Sequence, residues 1–357
     1  MSIDPRIITE FNRRAPFPLT PDKLVVLTHV GSHSHGTYIP PSDPQAIDDV
    51  DYMGVVAPPI EFVVGLQRWE GLDFKVEELD VVFYSLEKFI RLLYKNNPNV
   101  LGVMWMKPEF YFHWTHQFDE LIAARSKFSS LRAFDSFMGY ANSQLKRMTA
   151  FDAEATREWD EAVEVVTVAG WKVDDITDKS AALPMPKYKA LAPFLMQEEG
   201  TTVSEEMMDR ALNSAKVTIQ KMHARHFQGY MGAKRKALVR KYGYDTKNAA
   251  HLIRLMRMCN EFLQTGKLNV FRDRDGAELI DIKQGKWTLD EVKLEAEDLF
   301  AKVKELKETS RLPENPNAEA IDALLIHLHQ ELYFPDDEDW GVRNEGREAF
   351  ITAEPKE

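Results

Sequence analysis

A chain of 357 residues with 44% hydrophobic and 29% charged side chains can hold two domains, and its composition is that of a folded rather than a disordered protein. A single cysteine, Cys259, excludes an internal disulfide framework and fits a reducing compartment. No run approaches the roughly 18 apolar residues of a membrane span, and Met1–Arg6 has no apolar signal core, so a cytoplasmic protein without a membrane partner is expected. The net charge of −12 is unevenly spread: between Ala215 and Met258 eleven Lys/Arg face one acid, Asp245, a basic island in an otherwise acidic chain.

In chain order, the first third reads as mixed α/β. Leu24–Val30, Val50–Ala57, Glu61–Leu66 and Leu79–Tyr84 carry strand patterns, punctuated by Gly31, Gly36, Pro40-Pro41, Pro44 and Pro58-Pro59. A helix over Leu86–Lys95 follows Ser85, a natural N-cap, with Leu86, Phe89, Ile90 and Leu93 on one face, and Asn96-Asn97-Pro98-Asn99 stops it. Helices then dominate: Phe118–Ala124, Leu131–Phe151, Glu205–Gln228, Met231–Lys241 and Thr246–Thr265. A further helix opens at Thr288 with a capping box completed by Glu291, and another spans Ala318–Leu332. Asp152–Pro193 reads as a loop-rich segment, and the tail from Pro335 as acidic and poorly ordered. The fold class expected is α+β, a small mixed-sheet core over 1–117 followed by a mostly helical domain over 118–334 and an acidic tail over 335–357.

Within the core, three carboxylates carry chemistry. Strand alternation puts Asp49 and Asp51 on one face, with Val50 turned away, and Asp80 sits inside the apolar run Leu79–Phe83. Adjacent acids on a strand repel unless a cation lies between them, and a divalent metal with oxygen ligands answers that need; a third acid from a neighbouring strand would complete a two-metal clamp. Glu77 and Glu78 are alternatives for the third acid. Upstream, Gly31-Ser32 ends the first strand, where exposed N–H groups and a hydroxyl can hold phosphate oxygens. Either feature alone is common; their order along the chain is what gives them weight.

This succession resembles the DNA polymerase β-type nucleotidyltransferase superfamily. It reads Gly31-Ser32, Gly36-Thr37, Ser42-Asp43, Asp49-Val50-Asp51, Gly54-Val55 and then Asp80 before Val81-Val82-Phe83. Within it the chain is most similar to an uncharacterised bacterial and phage branch, through Ser85–Leu101 (SLEKFIRLLYKNNPNVL), Gly139–Arg147 (GYANSQLKR) and Lys241–Arg254 (KYGYDTKNAAHLIR). The resemblance implies Asp49, Asp51 and Asp80 as catalytic ligands of two Mg²⁺ ions, with Mn²⁺ an alternative, and an NTP such as ATP as substrate. It implies transfer of an NMP to a hydroxyl acceptor, an RNA end or a small molecule, with release of pyrophosphate. Gly31 and Ser32 would anchor the triphosphate.

Two features sit beside that pattern. Sixteen residues separate Ser32 from Asp49, a surplus for the family assigned to Pro40–Ala46, which would cover the nucleotide or touch the acceptor. On the helix from Thr246, with Asp245 as N-cap, Lys247, His251 and Arg254 fall in a stripe about 60° wide, suited to face a triphosphate or an RNA backbone. Phe227, Tyr230, Tyr242 and Tyr244 are candidates to stack on bases. Other readings are a catalytically silent nucleotide or RNA sensor and, through His33-x-His35, a histidine-metal hydrolase.

Overall fold

The computed structural model describes residues 3–46, 48–149, 153–168, 170–172, 204–222 and 233–335. The chain divides into two compact units, Met1–Gln144 together with Ala249–Glu357, and Leu145–Asn248. The boundary expected at 117/118 therefore falls inside the first unit, which also takes in the helices from late in the chain.

That sheet has five strands, β1 (Leu24–His29), β2 (Val50–Val56), β3 (Gly71–Val76), β4 (Leu79–Ser85) and β5 (Tyr111–Trp114), in the order β3-β4-β2-β1-β5. β2 and β4 run parallel and the other pairs antiparallel, so the sheet is mixed and the architecture is α+β. Burial along β4 alternates residue by residue: Leu79, Val81 and Phe83 are buried while Asp80, Val82 and Tyr84 are half-buried. The apolar face packs under α1 (Pro5–Arg14), whose Ile7 and Phe11 meet Tyr52, Phe74, Val81 and Phe83 in one core. Phe11 sets its ring edge-on to Phe83 at 4.8 Å between centroids. The opposite face holds Met53, Val55 and Val82 along its length and Asp51 and Asp80 at one end, and that end carries the candidate site.

Two short helices follow, α2 (Gly31–Ser34) and α3 (Glu61–Val64). The second corrects the strand expected over Glu61–Leu66. Four apolar residues cannot decide between periods, and here Val64 N–H reaches back to the Ile60 carbonyl (3.0 Å) and Gly65 N–H to Glu61 (3.0 Å), a helical turn. Edge strands β3 and β5 and helix α1 had no place in the sequence reading.

The first unit continues with α4 (Leu86–Tyr94), capped by Ser85 accepting from Lys88 N–H at 3.1 Å, α5 (Pro98–Leu101), α6 (His116–Ala123) and α7 (Arg132–Thr149) as far as Gln144. In the second unit α8 (Ala153–Val168) packs on α9 (Glu205–Met222) through Ala162, Val166, Trp171, Leu212 and Ile219. Helix α8 corrects the loop expected from Asp152: the prolines that suggested a loop begin only at Pro184, beyond the described part of that segment. The acidic tail also lies outside the described residues.

After α10 (Ala233–Tyr242) come α11 (Thr246–Thr265), α12 (Gly276–Lys283), α13 (Leu289–Thr309) and α14 (Ala318–Tyr333). The capping box at Thr288 and Glu291 is present, as expected. None of the described helices is long and apolar enough to cross a membrane.

Candidate active site

Parallel pairing of β2 with β4 puts Asp51 in register with Asp80, so both side chains rise from the same face of adjacent strands. Asp49, two residues before Asp51, shares that face. Antiparallel pairing then sets Lys75 of β3 opposite Asp80. Its ammonium lies 3.0 Å from Asp80 and 3.3 Å from Asp49, which holds these two carboxylates within two hydrogen-bond lengths of each other. Asp51 folds the other way, toward the β1–α2 turn. Gly31 there has φ +63°, and a Cβ on it would lie 2.1 Å from Asp51 Oδ2. Only glycine tolerates both the dihedral and that approach.

The three acids thus share one face, with Lys75 between Asp49 and Asp80 and Asp51 turned to Gly31; they do not close to within 4.8 Å of one another. Glu77 and Glu78 are engaged elsewhere, by Arg6 of α1. The donor set, three carboxylates on a half-exposed face with a cation already between two of them, suits a hard divalent ion. Lys75 was absent from the sequence reading. The alternation Leu72, Phe74, Val76 against Asp73, Lys75 could have placed it, had charged neighbours not masked an edge strand.

Around Gly31-Ser32 the turn is rich in polar atoms lacking protein partners. Ser32 Oγ, His29 Nδ1 and His33 Nδ1 are buried and make no hydrogen bond among the described residues. A buried hydroxyl left in this way needs an explanation, and a ligand oxygen supplies one. His29 stacks on His33 (4.7 Å), which stacks on Tyr38 (3.7 Å). Burial and then the charge of His33 push His29 down to about 4, and burial lowers His33. Both are therefore neutral at pH 7.

His35 has a different job. Its Nδ1 lies 2.9 Å from the Val270 carbonyl, which can only accept, so Nδ1 carries the proton. Arg272 N–H returns a bond to the His35 carbonyl at 3.0 Å. His33 and His35 do not combine with a third ligand. Among the described residues the group of three with metal-like convergence is instead His116, Glu120 and Glu331, joined by His327 on α14 in an alternation of imidazole and carboxylate.

The long segment between Ser32 and Asp49 is strapped to α12. Asp48, 1% exposed, pairs with the buried Lys283 at 2.9 Å, and Lys283 also donates to the Thr37 carbonyl at 2.8 Å. Asp43 accepts from Gln284 at 3.3 Å. This fixes the surplus loop onto the protein.

Helix α11 brings the predicted stripe into view. Asp245 caps it, accepting from Asn248 N–H at 3.2 Å while pairing with Arg235. His251 and Arg254 act electrostatically on His35, which places them beside the strap that follows Gly31-Ser32. Lys247 lies one turn earlier, before the division between the two units. Arg254 is partly buried and has no ion pair among the described residues; its Nη1–H donates to the Met258 sulfur at 3.2 Å. Burial, then Arg272, push it down to about 9, with Asp275 opposing. It stays charged at neutral pH, with Asp275 acting on it but no acid in direct contact among the described residues.

Much of the basic island is neutralised locally: Arg235 by Asp245, Arg240 by Asp160, and Arg257 by Asp275, Glu278 and Glu295. Tyr244 is 1% exposed and cannot stack on a base, while Phe227 and Tyr230 lie outside the described residues.

A profile of the family described as "RlaP: RNA repair pathway DNA polymerase beta family" matches residues 6–199, more than half the chain and all five strands. The chain belongs to this family. That agrees with the superfamily inferred from Gly31-Ser32, Asp49-Val50-Asp51 and Asp80. Searches of curated proteins and of solved structures gave no match.

Proposed function

We propose that this member of the family transfers a nucleoside monophosphate from an NTP to a hydroxyl acceptor, with an RNA end as the first choice and a small molecule as the second. The observation that carries the reading is the register of β2 on β4: it gathers Asp49, Asp51 and Asp80 on one polar face beside a glycine turn that only glycine can make. The RNA repair pathway in the family's description supports an RNA acceptor.

Asp49, Asp51 and Asp80 would hold two Mg²⁺ ions, which when bound neutralise phosphate charge and lower the pKa of the attacking hydroxyl. Lys75, paired with both, orients Asp49 and Asp80 meanwhile. Ser32 Oγ and the backbone N–H groups of α2 are the donors for triphosphate oxygens. His251 and Arg254 would face the same phosphates. The acceptor oxygen bonds to the α-phosphorus, the bond to the bridging oxygen of pyrophosphate breaks, and the hydroxyl proton leaves to solvent. Most of the rate comes from alignment and charge stabilisation rather than covalent chemistry.

The test is incorporation of label from each α-³²P NTP into total RNA or a metabolite extract, with Mg²⁺ or Mn²⁺ present. Transfer should vanish in Asp49→Ala and Asp51→Ala, while the melting temperature stays equal or rises as like-charge repulsion is relieved. Retained turnover in either variant refutes the assignment. Metal-dependent NTP binding without transfer to any acceptor would favour the sensor.

A further inference from the structure

A cationic cavity lies away from the carboxylates, at the C-terminal end of α11. It has a volume of about 740 Å³ and is walled by Arg125, Lys127, Lys267 and Arg311, with Trp105 and Leu312 on its apolar side. No aspartate or glutamate is among the described residues that line it. The cations come from three separate stretches of chain, which the fold gathers at one place.

Their ordinary employment does not explain them. Arg125, Lys267 and Arg311 have no carboxylate partner among the described residues. Cations gather at helix C-termini to satisfy the last carbonyls, yet here neutral groups do that work. Gly266 N–H bonds to the Phe262 carbonyl at 2.7 Å, Ser310 Oγ to Leu263 at 2.5 Å and Ser129 Oγ to Gly266 at 3.0 Å. Arg125 spends one N–H on the Met104 carbonyl at 3.2 Å and lies 5.6 Å from the Trp105 ring centre. Trp105 Nε1–H is itself buried and makes no hydrogen bond among the described residues. An acid-free cluster of cations beside an indole and a leucine offers what a phosphorylated nucleotide unit needs: charge for the phosphate and an apolar wall for the base.

We infer that this cavity is a second nucleotide-phosphate site, separate from the Asp49–Asp51–Asp80 face. Arg254 marks the cationic stripe on the same helix, and Thr265 lies eleven residues further on, about 16 Å along the axis. A ligand in the cavity is thus not the triphosphate held by Ser32. Its phosphate belongs either to a free nucleotide or to an RNA strand whose end is the acceptor.

The experiment compares the full chain with the double variant Lys267→Glu/Arg311→Glu, both positions being exposed, so that folding is kept. Binding of a fluorescein-labelled ten-nucleotide single-stranded RNA, and separately of AMP, is measured in EDTA across a salt series. Without divalent metal the outcome does not depend on the carboxylate site, so failure here leaves the transferase reading standing, and the reverse. The double variant should bind at least tenfold more weakly, with the salt slope for RNA reduced by about 1.4, the value for two phosphate contacts on a single strand. Loss for RNA alone identifies the strand as the source, and loss for AMP as well identifies the free nucleotide. Equal affinity and equal slope in the two proteins, for both probes, overturn the inference.

Discussion

Arg254 shows how one residue divides stability from function. A guanidinium taken out of water without an acid partner is a net cost to the fold, increased by Arg272 and only partly offset by Asp275. Arg272 itself is satisfied by Glu261 (2.8 Å) and Asp275 (2.8 Å), so it needs nothing further. Replacing Arg254 with methionine keeps the length of the stem and the contact region while removing the charge. Denaturant unfolding should show Arg254→Met more stable by about 0.5–2 kcal/mol, the range of gains seen when a functionally strained position is relaxed. Nucleotide affinity should drop at least tenfold in the same protein, read by calorimetry with Mg-NTP. A variant that is less stable yet binds nucleotide normally would show Arg254 to be ordinary packing.

At the scale of elements, the β1–α2 junction is the point where fold and site are the same object. Gly31 pays two penalties if it gains a side chain: the left-handed dihedral and a Cβ 2.1 Å from Asp51 Oδ2. Gly243, at φ +79°, carries the first alone, since nothing lies within 4 Å of its missing Cβ. Gly243→Ala should therefore lose about 1–2 kcal/mol, the cost of that dihedral. Gly31→Ala should lose more and, assayed where it is still folded, should fall in transfer activity beyond what its unfolded fraction explains. Equal losses of stability and activity in the two variants would separate Gly31 from Asp51. This junction was legible in the sequence because glycine, serine and the alternating acids each leave a local mark. So were α4, α11 and the Thr288 box, whose caps and periods are local too. Lys75 and the Asp48–Lys283 pair were not, because strand register and a partner 235 residues away leave no period in the chain. The α3 segment failed for the opposite reason: four apolar residues fit either period.

Across the whole first unit, buried neutral histidines tie stability to pH. His35 joins the strap after Ser32 to Val270, so its protonation bears on how the early sheet and the late helices hold together. Burial holds it well below its ordinary value; the charge of Arg254 adds to this, the Val270 carbonyl opposes it, and His251 and Lys283 add again. The unfolded chain therefore takes up protons near pH 6.5 that the folded chain refuses. Unfolding free energy should be flat above about pH 7 and fall as pH drops below 6.5, by up to about 1.4 kcal/mol per pH unit for each such histidine. His29, held at about 4, and His33 act in the same direction, so the slope can exceed one proton. Asparagine at position 35 keeps a donor for the Val270 carbonyl and cannot titrate. His35→Asn should accordingly reduce the acid slope by about one proton while changing stability little at pH 8, measured by urea unfolding at pH 5, 6, 7 and 8. An unchanged slope would mean that the acid sensitivity arises elsewhere, in carboxylates rather than in the histidine that fastens the strap.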